Sequence, residues 1–449
     1  MNLRFLFSLA VLVSALCVKA ALVVTGTRVV TITPTASTGL NTVLVVEDAE
    51  SATLSYQASS ASSASSVKWY RFGPSGGAYA EPITAVTVSG SVSSIKPDLS
   101  DAGYLVEESG RQTAYWIVNY TNHYPTFSGF TIDSDSDCDR VFFRPDGAFD
   151  KITYYSINGV PSQLDREILL EYTDLEMNSD PEEKDGTWQP YNHTVSFSDI
   201  TGTFSTSAPL CNTEFHLSGD RFLKEWGKSI SASTPTYNTS RVEARTWAIQ
   251  EMRDNANEQT PSTDGLGGSA PAVITFRAAV TDAVAFREWQ FSLSEDFSDI
   301  LYRFNEDEFT YTFNEYGTTY VRFTCADATG DCTFDGDVYT VMVGESKLRC
   351  PNAFSPHNQD GVNDEWRVSY SSLVSYDCHI FNRWGQEMFH SDNPGQGWDG
   401  RYGGKFVPAG VYFYVIKAEG ADGVKYNLSG DINIVGSKMK TNIGSSDIE

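Results

Sequence analysis

The strongest constraint on this chain is the rhythm of its apolar residues. Short runs rich in Val, Ile, Thr, Tyr and Phe alternate with polar residues, and Gly, Asn, Asp, Ser or Pro interrupts them about every eight to twelve residues. Only one stretch, residues 241–255, has the spacing of an amphipathic helix. The pattern predicts an all-β protein, and 449 residues are enough for about three or four domains.

The N-terminus predicts a signal peptide over residues 1–20. Arg4 supplies a positive charge, and residues 5–18 are almost continuously apolar but too short to span a bilayer. Cleavage is expected after Ala20. Cys17 suggests a lipoprotein as an alternative, but Leu16 is bulkier than the residue that normally precedes a lipidated cysteine. The later sequence has no segment apolar enough for a membrane helix, so we expect an exported protein that is not membrane-spanning.

The charge of the chain limits its partners. With 58 acidic and 32 basic residues, the formal net charge is −26 and the sequence pI is about 4.5. Such a surface repels phosphate groups, which disfavours nucleic acid and anionic lipid as partners. The acidity is spread along the chain, so most carboxylates are predicted to be solvated surface groups.

Six cysteines remain after the signal peptide, and an even number in an exported chain favours disulfides. Fifteen pairings are possible in principle. Pairing between sequence neighbours is the simplest prediction: Cys138–Cys211, Cys325–Cys332 and Cys350–Cys378. Their spacing does not resemble that of a zinc site.

The first region after the signal, residues 21–120, has two features of an immunoglobulin-like sandwich. Trp69 occupies the place of a core tryptophan, and 99–106 resembles the Asp-x-Gly-x-Tyr turn before the penultimate strand, with Leu105 in place of the tyrosine. The region therefore resembles an immunoglobulin-like domain that lacks the usual cysteines. Residues 121–240 are predicted to be β-rich and resemble no family.

Residues 241–346 contain a tryptophan strand at 289–292, a Tyr-Thr-Phe sequence at 311–313, and Gly317 followed by Tyr320. This order is similar to that of PKD-type immunoglobulin-like domains. The resemblances together imply tandem immunoglobulin-like β-sandwich domains.

The C-terminal region, residues 347–437, carries five short blocks in a fixed order, and a tail follows at 438–449. In order and spacing, the blocks resemble the gliding-motility-associated C-terminal domain of Bacteroidota, the type B sorting domain of type IX secretion. The residues that carry the motif are Pro351, Asn352, Phe354, Ser355, Pro356, Asp360, Gly361, Asn363, Asp364, Trp366, Asn382, Arg383, Trp384, Gly385, Trp398, Asp399, Gly400, Pro408, Gly410 and Tyr412.

This resemblance implies a route and partners. The signal peptide would deliver the chain to the periplasm, and the type IX secretion machinery would then carry it across the outer membrane. The resemblance also implies a PorP-type outer-membrane barrel as partner, and a final location outside the cell or on the outer-membrane surface. Independently of the family, Trp366, Trp384 and Trp398 are expected to fill the core of this small domain.

Two groups of polar residues are candidates for metal binding. Asp360, Asn363 and Asp364 surround a glycine turn and offer the oxygen ligands that calcium requires. The favoured interpretation is a turn whose side chains cap backbone N–H groups. Four alternating aspartates at 133–139 could likewise gather a cation, but a solvated linker is favoured.

The sequence provides little support for catalysis. The histidines form no metalloprotease motif, Gly73–Gly77 lacks the form of a nucleophile elbow, and the spacing of Glu306 and Glu308 cannot by itself support a glycosidase pair. We therefore expect a non-catalytic structural or binding role. The alternatives are an adhesin or glycan-binding protein, with Trp188 and Trp226 as aromatic candidates, and a hydrolase with its active site in 121–240. A protein ligand is also possible.

Overall fold

The computed structural model describes residues 22–180, 185–253, 255–260 and 265–436. The predicted signal peptide and C-terminal tail lie outside these residues. The described chain consists of strands with two short helices, which confirms the all-β prediction. Within this part of the chain, no helix is both long and apolar enough to cross a membrane.

The described chain divides into two compact units. The first holds residues up to Asp174 together with Asn192–Asn238, and the second holds Leu175–Tyr191 together with the chain from Thr239 onwards.

The first unit begins with two facing sheets. Their orders are β1-β4-β8-β7 and β2-β3-β10-β9-β5-β6. A helix, α1 (Ala61–Ala64), and short 3-10 turns at Ala36–Thr38, Gly77–Tyr79 and Tyr120–His123 lie between strands. The strands are β1 (Leu22–Thr25), β2 (Val29–Ile32), β3 (Thr42–Val46), β4 (Thr53–Gln57), β5 (Lys68–Phe72), β6 (Glu81–Ile83), β7 (Thr87–Ser89), β8 (Val92–Ile95), β9 (Ala102–Glu108) and β10 (Arg111–Asn119).

The core between these sheets is built around Trp69, as expected. Its ring packs edge-on against Tyr56, and its Nε1 donates a hydrogen bond to Ser93 Oγ at 3.0 Å. The hydroxyl of Tyr104 accepts a hydrogen bond from the backbone N–H of Asp98 at 2.7 Å. This tyrosine contact is typical of immunoglobulin-like sandwiches. Tyr104, which makes this contact, is the residue before Leu105. The side chain of Leu105 lies in a different hydrophobic core.

The rest of the first unit contains the sheets β11-β12-β17 and β13-β14, together with the part of the sheet β16-β15-β18-β19 that lies outside Leu175–Tyr191, and it has a phenylalanine-rich core. Their strands are β11 (Gly129–Ile132), β12 (Arg140–Asp146), β13 (Ile152–Tyr155), β14 (Pro161–Leu164), β15 (Ile168–Asp180), β16 (Asp185–Phe197), β17 (Phe204–Ser207), β18 (His216–Gly219) and β19 (Ile230–Ser233), with helix α2 (Arg221–Glu225) between β18 and β19.

One hydrophobic core of the first unit contains residues from two of the predicted domains, 21–120 and 121–240. Val43, Val45 and Trp116 of the six-stranded sheet pack with Phe222 and Trp226 of the α2 segment. Strands β3 and β10 are therefore buried on both faces, which explains why their sequences are continuously apolar rather than alternating.

A buried ion pair closes this core. The Arg166 and Asp220 side chains are 0% exposed, and Arg166 Nε donates to Asp220 Oδ2 at 2.7 Å. The Tyr120 hydroxyl donates to the same Asp220 oxygen at 2.9 Å, and burial raises the pKa of Tyr120. Arg166 also donates to the carbonyl oxygens of Asp150 and His123. Asp220 Oδ1 caps α2 by accepting from the backbone N–H of Leu223.

The second unit contains the sheets β20-β22-β25 and β21-β28-β26-β23-β24, with β27 paired to β26. The strands are β20 (Ala244–Gln250), β21 (Leu266–Gly268), β22 (Ala272–Val280), β23 (Phe286–Ser292), β24 (Ile300–Phe304), β25 (Glu308–Phe313), β26 (Gly317–Ala326), β27 (Thr333–Asp335) and β28 (Tyr339–Val343).

The helix predicted over 241–255 is wrong, because Ala244–Gln250 forms strand β20. Every residue of this strand is paired antiparallel with β22, from Ala244 opposite Val280 to Gln250 opposite Ile274. Cross-strand pairing outweighs the helical spacing of a short segment, since local propensity is a weak constraint when tertiary partners are available.

The C-terminal part of the second unit is built on the sheet β30-β37-β36-β32-β33, with the small pairs β29-β31 and β34-β35. Its strands are β29 (Lys347–Arg349), β30 (Ala353–Phe354), β31 (Ser369–Ser371), β32 (Leu373–Phe381), β33 (Glu387–Ser391), β34 (Arg401–Tyr402), β35 (Lys405–Phe406), β36 (Gly410–Gly420) and β37 (Lys425–Ile434). We call residues 347–436 the C-terminal domain.

The prediction that the chain contains a disulfide is confirmed, but the predicted pairings are wrong. Cys138 and Cys332 each take part in a disulfide bond, whereas Cys211, Cys325, Cys350 and Cys378 are thiols.

The local structure explains why the sequence neighbours do not pair. Cys325 lies opposite Phe334 in the β26–β27 ladder. The residue that lies opposite Cys332 is Asp327, two positions further along the chain, so the two cysteines do not face each other. Cys211 Sγ donates to the carbonyl oxygen of Thr173 instead. Burial raises the pKa of the Cys350 thiol and raises that of Cys378 to about 11, and the hydroxyls of Tyr414 and Tyr376 lie beside these two thiols, respectively.

Candidate recognition surface of the C-terminal domain

Many of the motif residues build the core and turns of the C-terminal domain. Trp366 and Trp398 are each 1% exposed and exchange two backbone hydrogen bonds, at 2.8 and 3.0 Å. Phe354 and Tyr412 pack on the Trp398 ring. Gly400 has a φ of +73°, and a side chain there would meet Pro356 at 2.7 Å. These positions require particular residues for structural reasons.

Backbone contacts fix several of the remaining motif residues. Trp366 Nε1 donates to the carbonyl oxygen of Pro351 at 2.7 Å, and the Tyr412 hydroxyl donates to that of Pro408 at 3.0 Å. The carbonyl oxygen of Asn352 accepts from the backbone N–H of Asn433. Ser355 donates its backbone N–H to the carbonyl oxygen of Asn363, and Asp399 Oδ1 accepts from the backbone N–H of Arg401. Gly410 begins strand β36.

Trp384 does not fill the core, contrary to the sequence expectation. It is 78% exposed and lies in the turn between β32 and β33. Asn382 Oδ1 accepts hydrogen bonds from the backbone N–H groups of Trp384 and Gln386, and Gly385 supplies the left-handed conformation with φ +80°. The core is already filled by Trp366 and Trp398, so the third tryptophan is presented to solvent on an ordered turn.

Other aromatic and apolar side chains surround this turn. Tyr402, Phe406, Val411 and Phe413 are all exposed and line the same groove of ≈ 510 Å³ as Trp384. We call Asn382–Gly385 together with these four residues the Trp384 surface. Solvent-exposed aromatic and apolar groups in one place are typical of a binding surface.

Basic side chains lie on and beside the Trp384 surface, although the chain as a whole is strongly acidic, and one of them, Arg401, is paired with Asp399 at 3.6 Å. The Arg383 guanidinium lies 4.7 Å from the centre of the Trp384 ring, and that of Arg401 lies 4.2 Å from the centre of the Phe406 ring. Lys405 lines the same groove. Arginine stacked on an aromatic ring offers both apolar area and directed donors, a combination enriched at protein interfaces.

Part of this surface was not predicted from the sequence. The apolar run 411–415 predicts a strand buried on at least one face, and strand β36 buries this run on the side of Tyr412. Its other face, with Val411, Phe413 and Val415, is exposed. A strand that covers a core on one face normally alternates apolar and polar residues. The lack of this alternation at 411–415 is the sequence feature that indicates an exposed apolar face.

The calcium candidates lie on one loop, where their carboxylates bind backbone groups. Asp360 Oδ1 accepts from the backbone N–H of Val362 at 2.9 Å, and Asp364 Oδ2 accepts from that of Gly361 at 2.8 Å. These contacts are those of the favoured capped turn. Asp364 Oδ1 is buried and has no hydrogen-bond partner among the described residues, and calcium binding by Asp360, Asn363 and Asp364 stays a prediction.

The remaining candidates have structural partners. In the aspartate run, Asp133 pairs with Arg144 at 2.7 Å, and Asp137 Oδ1 caps the backbone N–H groups of Asp139 and Arg140. Trp226 is buried against Tyr120, and Trp188 Nε1 donates to the carbonyl oxygen of Ala279 at 3.1 Å.

Comparison with protein families identifies two segments. Residues 348–434 match the CHU_C type IX secretion signal domain, and residues 131–234 match a fibronectin type III domain. The first match agrees with the resemblance of the C-terminal motif. It indicates export to the cell surface or the extracellular space and interaction with the type IX secretion machinery. The second assigns a family to the region in which the sequence reading found none.

Solved structures with related β architecture show only distant similarity. A tetra-tandem repeat from the extending region of a large adhesion protein is 11% identical, with 87% of this chain and 97% of that chain covered and a TM-score of 0.21. Dimeric latent PorU from Porphyromonas gingivalis is 12% identical, with 74% and 36% covered and a TM-score of 0.16. A Ca²⁺-stabilised adhesin from an Antarctic bacterium is 10% identical, with 93% and 100% covered and a TM-score of 0.19. Scores this low do not establish a common arrangement, and no curated protein sequence matches the chain.

Proposed function

We propose that this chain, whose C-terminal domain is a type IX secretion signal domain, is a non-catalytic surface or extracellular protein that the export machinery recognises through the Trp384 surface. The partner that contacts this surface is proposed to be a PorP-type outer-membrane barrel. The modules upstream are proposed to serve as a structural or ligand-binding display.

The exposure of Trp384 carries the proposal. An exposed tryptophan loses the stabilisation of about 1.5–3 kcal/mol that burial of a large apolar side chain provides. Here Asn382 and Gly385 fix the backbone of the turn, so the turn would lose little conformational entropy when a partner covers it. A preorganised tryptophan beside an arginine is the type of group that dominates binding energy at protein interfaces.

The upstream modules support a non-catalytic role. Residues 131–234 match a fibronectin type III domain. In the first unit, Arg166 and Asp220 form an ion pair with each other inside the core. Both side chains are completely buried, so this pair supports a structural role. A groove of ≈ 810 Å³ lined by Tyr124 and Trp226 is the proposed ligand site of this unit.

Replacing Trp384 with alanine is expected to reduce the amount of protein at the cell surface by about tenfold or more, because loss of an interface hot spot costs about 2 kcal/mol or more of binding energy. The measurement is protease accessibility on intact cells, with the periplasmic fraction assayed in parallel. Thermal unfolding of the purified variant should match that of the wild type, since the side chain is exposed.

Tyr79 provides the matched control. It is 76% exposed and lies in the first unit, so Tyr79→Ala removes a similar exposed ring without touching the C-terminal domain. This variant, and the conservative Trp384→Phe, should reach the surface at close to wild-type levels. Wild-type surface levels of Trp384→Ala would contradict recognition through the Trp384 surface, while leaving the secretion-signal assignment intact.

A further inference from the structure

The outer face of strands β32 and β33 brings two histidines and a carboxylate together. His379 and His390 are directly opposite each other in the antiparallel ladder, and their rings stack with centroids 4.3 Å apart. Asp377 lies two residues before His379 and therefore points to the same face. Each of the three residues offers one possible metal-ligating atom, and these three atoms lie within 4.8 Å of one another.

Both imidazoles are directed at the same oxygen atom. His379 Nε2 lies 3.2 Å from Asp377 Oδ1, and His390 Nε2 lies 2.9 Å from it. Zinc binds imidazole nitrogen and carboxylate oxygen at about 2.0–2.2 Å in tetrahedral geometry, which places neighbouring ligand atoms about 3.3 Å apart. The two observed nitrogen–oxygen separations are close to this value. The two rings are nearly parallel, with an interplanar angle of 11°, so metal binding requires one imidazole to rotate until its Nε2 lone pair faces the shared ion.

A fourth residue holds His379 in the orientation that metal binding requires. The ladder between β32 and β33 is irregular after Ile380, so that Phe381 is opposite Glu387. This bulge brings Glu387 within 2.8 Å of His379 Nδ1. When Nδ1 donates its proton to Glu387, the Nε2 lone pair faces Asp377. A carboxylate on the far nitrogen of a metal-bound histidine is a common arrangement, in which it fixes the ring and the tautomer.

We propose that Asp377, His379 and His390 bind a divalent transition-metal ion of the zinc class, with Glu387 as a positioning residue for His379. Two imidazoles and one carboxylate suit zinc better than calcium or magnesium, which prefer oxygen ligands alone. Three protein ligands leave a fourth position for water or for a group from a partner.

The proposed metal site lies on the β32–β33 hairpin, which indicates what metal binding would do to the domain. The ligands lie on the two strands of the hairpin whose turn carries Trp384. A metal ion that links His379 to His390 joins these strands through their side chains. Metal binding would therefore brace the hairpin that presents the Trp384 surface, and it would stabilise the folded domain because the site is not formed in the unfolded chain.

The test is calorimetric titration of zinc chloride into the full chain, purified without a histidine tag. We expect one equivalent to bind in the presence of millimolar magnesium and calcium. His379→Gln and His390→Gln should each abolish this binding, and Glu387→Gln should weaken it by about 10–100-fold. Cobalt(II) should give the visible absorption bands of a four-coordinate ion with the wild type and not with the two histidine variants.

Two control variants separate this site from general surface binding. His216 is another exposed histidine on a strand, paired with Ser233 Oγ, and His216→Gln should bind zinc like the wild type. Lys417 lies directly opposite Asp377 on β36, and Lys417→Gln changes the charge of the face without removing a ligand. The proposal is overturned if the wild-type chain binds no zinc, or if the His379 and His390 variants bind it as well as the wild type and the controls do.

Discussion

Replacing Arg166 with methionine is expected to lower the free energy of unfolding of the first unit by about 3–5 kcal/mol, since it leaves a buried carboxylate without its counter-charge. Arg166 and Asp220 are completely buried, and Arg166 also satisfies the carbonyl oxygens of Asp150 and His123. Methionine has similar bulk but cannot donate to any of these oxygens. The measurement is guanidinium-induced unfolding followed by tryptophan fluorescence.

A double variant identifies the cause of this loss. Asp220→Asn removes the charge but keeps a side-chain oxygen that can cap α2, so Arg166→Met with Asp220→Asn should be more stable than Arg166→Met alone. The matched control is the neighbouring exposed pair of Arg221 with Glu167, at 2.7 Å, whose loss in Arg221→Gln should cost about 1 kcal/mol or less. Equal losses from Arg166→Met and Arg221→Gln would show that the buried pair has no special role.

Replacing Trp366 with alanine is expected to destabilise the C-terminal domain by about 3–5 kcal/mol. The substitution empties a fully buried site, removes the ring contact with Tyr414, and leaves the carbonyl oxygen of Pro351 without its donor. The measurement is again denaturant-induced unfolding, with the transition of the second unit compared between variants.

Trp384→Ala is the matched control, since it deletes the same side chain from the same domain at an exposed position. It should change the stability by about 0.5 kcal/mol or less. Trp366→Ala should therefore reduce export by destabilising the domain, whereas Trp384→Ala should reduce export from a stable domain. If the two variants lose the same stability, the division of the motif into core and surface residues is wrong.

The tryptophans of the C-terminal motif show how far the sequence could predict the structure. Trp366, Trp384 and Trp398 all carry the motif, and composition alone suggests that each fills the core. Burial separates them because a small domain has room for only part of its large side chains, and the turn residues Asn382 and Gly385 fix which one remains outside. The family of the domain could be read from the motif, but its exposed surface could not.

Other features depended on contacts that are distant in the sequence. The all-β class followed from local patterning, whereas the helix at 241–255 was wrong because strand β22 lies alongside the segment. The cysteine pairing was wrong because the position of each thiol depends on ladder register and on neighbours such as Tyr414 and Tyr376. The His379 and His390 cluster is invisible in the sequence, since the two residues meet only through the register of β32 and β33.

The measurement that tests the central claim most directly is the location of the full chain in two otherwise identical strains, one with and one without a working type IX secretion machinery. Surface exposure is assayed by adding protease to intact cells, and the periplasmic fraction is probed with an antibody. We expect the protein to be protease-accessible in the first strain and retained in the periplasm of the second. Equal surface exposure in both strains would contradict the assignment of the C-terminal domain as the signal that exports this chain.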